Sequence, residues 1–163
     1  MKRLLIILPI LSLIVAGCYK EPFANATYNP EFPYVGEDIS FLNLSQNVNY
    51  VEWDMGDGNT SSAINIKHYY IDPGSYQVTL MAFGKKNDVS RATFIVDVEG
   101  SELKVVAKDV EYDDLFIEGA SVLLFASHQD WIDNDPEFAI DEQFTDRYGE
   151  CIFSNLSFQK YYV

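Results

Sequence analysis

Where the apolar residues of this chain are periodic, the period is two. Tyr76, Val78, Leu80 and Ala82 form one row, and Ala92, Phe94, Val96 and Val98 form another. Shorter rows pair Ile39 with Phe41 and Val51 with Trp53. Successive side chains of an extended strand point to opposite faces, so each row dictates a strand with one face on a core and the other in water. No stretch after Cys18 holds a 3.6-residue period over the length a helix needs. Turn residues separate the rows, and short alternating strands between turns are the pattern of β-sandwiches.

The alternation stops at Glu99-Gly100-Ser101, and a second series begins at Leu103. Charge changes at the same place. Residues 19–100 hold 5 basic and 11 acidic residues, whereas residues 101–163 hold 4 and 14. A chain of 163 residues makes one ordinary domain or two small ones. Two units of such size each bury a modest core, and the short link should set them end to end. The hydrophobic content of 48% excludes a disordered chain. The net charge of −14 excludes a nucleic-acid partner, because such affinity comes from neutralising phosphates with Lys and Arg.

The N-terminus reads Met1-Lys2-Arg3, an apolar run from Leu4 to Val15, then Ala16-Gly17-Cys18. A positive start, a short apolar run and small residues before a cut make a secretory signal. A bilayer span needs roughly 20 apolar residues, and this run is shorter and broken by Pro9. Val15-Ala16-Gly17-Cys18 resembles the lipobox of bacterial lipoproteins. The resemblance implies cleavage before Cys18, a diacylglyceryl group on its thiol and, as a rule, acylation of its new amino group. The mature chain, from Cys18, would carry a net charge of −16, so lipid rather than charge would hold it to a membrane. Tyr19 follows the cysteine, where inner-membrane lipoproteins of some Gram-negative bacteria carry Asp. Lys20-Glu21 weakly resembles signals for export to the cell surface. The expected address is the outer membrane, facing outward. Cys151 is left without a partner, and a lone Cys is expected to pack as a small buried hydrophobe.

Trp53-Asp54-Met55-Gly56-Asp57-Gly58-Asn59-Thr60 resembles the signature of PKD domains, with Met55 where an aromatic is usual. His68-Tyr69-Tyr70-Ile71-Asp72-Pro73-Gly74-Ser75-Tyr76-Gln77-Val78-Thr79-Leu80 resembles the second block of that family, and Val35 to Phe41 its opening strand. The residues make sense without the name. Trp53 is expected at the centre of an immunoglobulin-like core. Gly56 and Gly58 supply a tight turn whose amides Asp54 and Asp57 can bind. Asp72, Gly74 and Tyr76 match a tyrosine corner, with Val78 where an antibody domain carries a cysteine. Asp54 and Asp57 are therefore read as turn residues rather than a metal or catalytic pair, and His68 as a strand residue. Zinc needs three or four N/S ligands, and the mature chain offers two His and one free Cys.

In the second series, Gly119-Ala120-Ser121-Val122-Leu123-Leu124-Phe125 and Phe144-Thr145-Asp146-Arg147-Tyr148-Gly149 to Leu156 resemble carboxypeptidase regulatory-like, or pre-albumin-like, sandwiches. Gly119 is expected in a turn of positive φ, Asp146 to Gly149 in a hairpin turn, and Tyr161-Tyr162-Val163 in an aromatic strand. The chain stops inside that strand. The expectation is truncation, and the alternative is a short sandwich with an open edge. Between the two motifs, Ser127, His128 and Asp130 are too close in sequence for a nucleophilic triad. Asp130, Asp133, Asp135 and Glu137 supply oxygens for calcium, but the glycine of an EF-hand loop is missing. The plain reading is a solvated acidic loop. If Trp131 is exposed there, it is the best single candidate for a sugar or protein contact.

The expected fold is all-β: two tandem sandwiches, immunoglobulin-like then pre-albumin-like, after a lipoprotein signal peptide. The expected divisions are residues 1–17 as signal, 18–22 as lipidated tether, 23–99 as the PKD-like unit and 101–163 as the second. There is no G-x-S-x-G, H-E-x-x-H or P-loop, so no enzyme and no cofactor are expected. The PKD resemblance implies contact with surface polysaccharide or protein. The alternatives are a spacer lipoprotein without a ligand, or an accessory part of a carbohydrate-active enzyme system. Sequons at Asn25, Asn43, Asn59 and Asn155 would matter only in a eukaryotic secretory route, which the lipobox opposes.

Overall fold

The computed structural model describes residues 20–112 and 115–163. Cys18 and the N-terminal apolar run lie outside them. The first group of strands is β1 (Ala26–Asn29), β2 (Ile39–Asn43), β3 (Tyr50–Asp54), β4 (Thr60–Ser61), β5 (Ile66–His68), β6 (Gly74–Phe83) and β7 (Val89–Val98). They form two antiparallel sheets, β1-β2-β5 and β4-β3-β6-β7. The period-two rows land as their alternation requires. Ile39 and Phe41 from the first sheet meet Val51, Trp53, Val78, Leu80, Ala82, Val96 and Val98 from the second in one buried core. This is an immunoglobulin-like all-β architecture.

β6 and β7 pair along their whole length, from Gly74 opposite Val98 to Phe83 opposite Val89. Ten residues at about 3.3 Å each make this hairpin roughly 30 Å tall, and it gives the sandwich two distinct ends. At one end stand Lys20 to Ala24, the β2–β3 loop and the β6–β7 turn. The Asn49 amide side chain donates to the Gly84 carbonyl at 3.1 Å, and that of Asn47 to the Glu21 carbonyl at 3.1 Å. Pro22 packs against Gly84 so closely that a Cβ there would meet its ring at 3.0 Å. The other end carries the loops 30–38, 55–59 and 69–73.

The second group begins with β8 (Ser101–Val106), followed by β9 (Lys108–Asp109), β10 (Leu115–Phe116), β11 (Ser121–Leu124), β12 (Asp141–Phe144) and β13 (Glu150–Leu156). They pair only two by two: β8 with β13, β9 with β10, and β11 with β12. Leu124, Cys151 and Phe153 are the buried centre, with Leu103, Val105, Val122, Leu156 and Tyr161 packed around it. Cys151 is thus buried, and burial pushes its thiol up from the ordinary value. Gly119 has the expected positive φ, +73°.

Three local expectations need correction. Asp146 to Gly149 does close a turn, with the Asp146 carboxylate accepting the Tyr148 and Glu150 amides at 2.8 and 3.0 Å. The strands it joins do not form a hairpin, because β12 pairs with β11 and β13 with β8. Tyr161 to Val163 is no strand. One antiparallel bridge, Phe125 to Tyr162, is all the pairing it makes among the described residues. The acidic loop contains a helix, α1 (His128–Asp133). Ser127 caps it by accepting the Asp130 amide at 3.4 Å, and Asn134 ends it at φ 49°. Six residues are too few to leave a periodic trace, but a capping Ser and a left-handed Asn explain both limits.

The groups touch at the far end of the first sandwich. The Phe158 amide donates to the Ile71 carbonyl at 2.7 Å, and the Ser157 hydroxyl to the Asp72 carboxylate at 2.6 Å. Gly36, at φ +76°, lies under the Phe158 ring, where a Cβ would come within 2.5 Å.

Candidate contact surfaces

The glycine-rich turn after β3 is built by its own acids. Asp54 accepts the Gly56 amide at 3.0 Å, and one oxygen of Asp57 accepts the Asn59 amide at 3.0 Å. Gly56 stands at φ +79°, and a Cβ there would lie 2.7 Å from the Gln77 carbonyl of β6. Both the turn and the close strand therefore require glycine. Gly58 and Gly74 also sit at positive φ, +91° and +152°. Trp53 is buried, and its indole N–H donates to the Ala63 carbonyl at 3.0 Å. Tyr76 donates to the Asp72 carbonyl at 2.8 Å, the bond a tyrosine corner makes.

One pairing escaped the sequence. The second oxygen of Asp57 meets the Asn59 side-chain amide at 2.9 Å and His68 Nε2 at 2.7 Å. The pair ties the turn to β5, and the His68 ring stands edge-on to Tyr70 at 4.8 Å. Tyr70 in turn donates to the Met55 carbonyl at 2.8 Å and stacks on Tyr76 at 3.9 Å. Eleven positions separate Asp57 from His68, and only the sheet register brings them together. Burial pushes the Asp57 carboxyl up. Hydrogen bonds from the Asn59 side chain and backbone and from His68 outweigh this and hold it below the ordinary value. Burial also raises the Tyr70 hydroxyl, aided by the charge of Asp57, so it stays a donor.

A carboxyl lowered in the folded chain contributes stability above its unfolded pKa and loses it as pH falls through the folded value. Asp57→Asn should therefore flatten the acid limb of the stability curve below the ordinary value of 3.8. Urea midpoints taken at a series of acidic pH values check this, and an unchanged acid limb would dismiss the linkage.

Asp57, Asn59, His68, Tyr69, Ile71, Asp72 and Tyr76 line a surface cleft of about 370 Å³. Among the described residues, no Ser, Thr or Cys lines it. The geometry of the His68–Asp57 pair fits a staple between turn and strand.

On the second group, Trp131 is 40% exposed. Its ring stacks on His128 at 5.6 Å and on Tyr162 at 6.0 Å, and its N–H donates to the Val163 carbonyl at 2.8 Å. The neighbouring acids do not converge. Asp133 accepts the Gln129 amide side chain at 2.9 Å, and Asp135 the Glu137 backbone amide at 3.1 Å. With Asp130 on the first turn of α1, no group of three metal-binding side chains forms among the described residues. No helix among those residues is long and apolar enough to cross a membrane.

Residues 22–98 match the PKD domain family. Among solved structures, the chain is similar to one from a study of the promiscuous specificity of carbohydrate-binding modules of the β-sandwich superfamily. Identity is 23% over 64% of this chain and 45% of that one, with a TM-score of 0.49. It therefore spans less than half of that protein's length. The PKD1 domain of Vibrio anguillarum Epp is 26% identical over 50% of this chain and 98% of its own, with a TM-score of 0.44. The PKD1 domain of the Vibrio cholerae metalloprotease PrtV is 28% identical over 48% and 98%, with a TM-score of 0.42.

Proposed function

Starting from a PKD domain at residues 22–98, we propose that this chain is a non-catalytic contact protein of the bacterial envelope. In this reading Cys18 carries the lipid anchor, the outer membrane is the address, and the surface partner is a polysaccharide or a protein. Residues 101–163 act as a second, smaller sandwich displayed beyond the first. One contrast carries the reading. The acids of the signature motif are spent on backbone amides of their own turn, whereas Trp131 offers an exposed ring backed by His128 and Tyr162. Supported, exposed aromatics supply contact area at little entropic cost, which suits binding rather than bond cleavage.

Trp131→Ala should lower retention on immobilised envelope polysaccharide, or on a partner captured from the same envelope, several-fold. The variant loses one hydrogen bond of about 1 kcal/mol and the stacking on His128 and Tyr162, so retention is compared at a temperature where both forms remain folded. Unchanged retention would remove Trp131 from the contact surface. A spacer without a ligand is the second reading. Its support is that β7 carries the chain from the Lys20 end to the far end before β8 begins. A spacer predicts no retention in either form.

A further inference from the structure

We infer that the end of the first sandwich formed by Lys20–Ala24, Leu44–Tyr50 and Phe83–Val89 lies against an anionic phospholipid surface. The inference rests on the lipid-anchor reading, because the anchor brings that surface within reach. Three residues separate Cys18 from Pro22, four Cα-to-Cα steps in all. Fully extended they reach roughly 14 Å, and Pro22 is packed against Gly84 of this same end. The tether therefore brings this end of the sandwich to the bilayer ahead of the opposite one.

The charge of the sandwich is polarised to match. Four of the five basic residues between 19 and 100, Lys20, Lys85, Lys86 and Arg91, stand at or near this end, with Glu21, Asp88 and, at the level of Arg91, Glu52 as its acids. Lys85, Lys86 and Asp88 have local interactions as well. Asp54 lies midway along the ladder, opposite Thr79, and Glu31, Glu37, Asp38, Asp57, Asp72, Asp97 and Glu99 gather at the opposite end. At physiological salt, charges are screened beyond about 8 Å. A membrane therefore meets the basic end and scarcely feels acids some 30 Å away, at about 3.3 Å per strand residue.

The same end exposes apolar side chains of the kind that settle into headgroups. Phe23 is 58% exposed, Tyr50 54%, Leu44 49% and Val89 47%. The Tyr50 ring stacks face to face on Phe83 at 4.4 Å, which holds it in place. Aromatic rings beside lysines are the composition of a membrane–water interface. Held there by the tether, a weak surface of this size acts at high effective concentration.

A fluorophore reports on this. Val89→Cys and Glu31→Cys each give one reactive thiol in the full chain, since Cys18 is acylated in this reading and Cys151 is buried. The lipidated proteins are reconstituted in phosphatidylethanolamine–phosphatidylglycerol vesicles carrying a nitroxide phospholipid. Flotation reads the anchor, and quenching reads the surface. The expected result is flotation of both, with quenching several-fold greater at position 89 than at 31, and loss of that difference in Lys85→Glu/Lys86→Glu. A chain that floats with equal quenching at both positions overturns the surface and spares the anchor. One that does not float overturns the anchor, and the surface with it.

Discussion

Trp53→Ala should unfold the first sandwich under conditions where the parent chain is native. Trp53 is 1% exposed, and its ring meets Phe41 edge-on across the core at 6.0 Å. Removing an indole from such a place costs about 3–5 kcal/mol in transfer and cavity terms. The Ala63 carbonyl also loses its donor at 3.0 Å. A unit of this size holds roughly 4–12 kcal/mol in all, at about 0.05–0.15 kcal/mol per residue. The substitution thus removes a large share, or all, of its stability. The chain has two tryptophans, so in this variant fluorescence reports Trp131 alone while circular dichroism reports both strand groups. Denaturation should begin by circular dichroism well before the fluorescence changes. A shift of the dichroism midpoint worth less than about 1 kcal/mol would mean that Trp53 does not hold the core together.

The first sandwich was legible because each of its signals is local. Val78, Leu80 and Ala82 are buried on the face that their spacing dictated, and Gly56 takes the backbone conformation that its turn required. Tyr76 finds its carbonyl four residues back. What stayed hidden depends on register or on very short elements. The bond between Asp57 and His68 exists because β2 pairs Ile39 with His68 and β3 leads into the turn, and no spacing rule contains that. The strands flanking Asp146 to Gly149 read as a hairpin because a turn between alternating runs usually makes one. Here β12 pairs with β11 and β13 with β8 instead. The six-residue α1 has no room for a helical period. Trp131 could be singled out as a large aromatic among acids, but its backing by Tyr162, thirty-one positions on, could not.

The polarity of the sandwich was also written in the sequence, though unreadable without the ladder. Lys85 and Lys86 look like one more solvated pair until β6 and β7 put their turn beside Pro22. A chain so acidic would ordinarily be repelled by an anionic membrane. On the lipid-anchor reading, keeping most of its cations at the tethered end lessens that repulsion where distance would make it largest.

Cys18→Ala should move the protein almost wholly from the membrane fraction to the soluble one. A single acyl chain binds marginally, with an association constant of about 10⁴ M⁻¹, whereas two or more anchor stably. On the lipid-anchor reading, the diacylglyceryl group has no site without the thiol, and neither chain length nor charge replaces it. The apolar run from Leu4 to Val15 is shorter than a span and contains Pro9. Cleaved before Cys18, the chain would carry a net charge of −16, which would oppose adsorption beyond the small basic end. Cys18→Ser should behave as Cys18→Ala does, since the chemistry needs sulfur, whereas Cys151→Ala should leave the partition unchanged because that thiol is buried in the second core. Sedimentation of salt-washed and carbonate-washed membranes separates these outcomes. A Cys18→Ala protein still pelleting after carbonate would point to the uncleaved apolar segment as the anchor. The short reach from Cys18 to Pro22 would then no longer decide which end of the sandwich faces the bilayer.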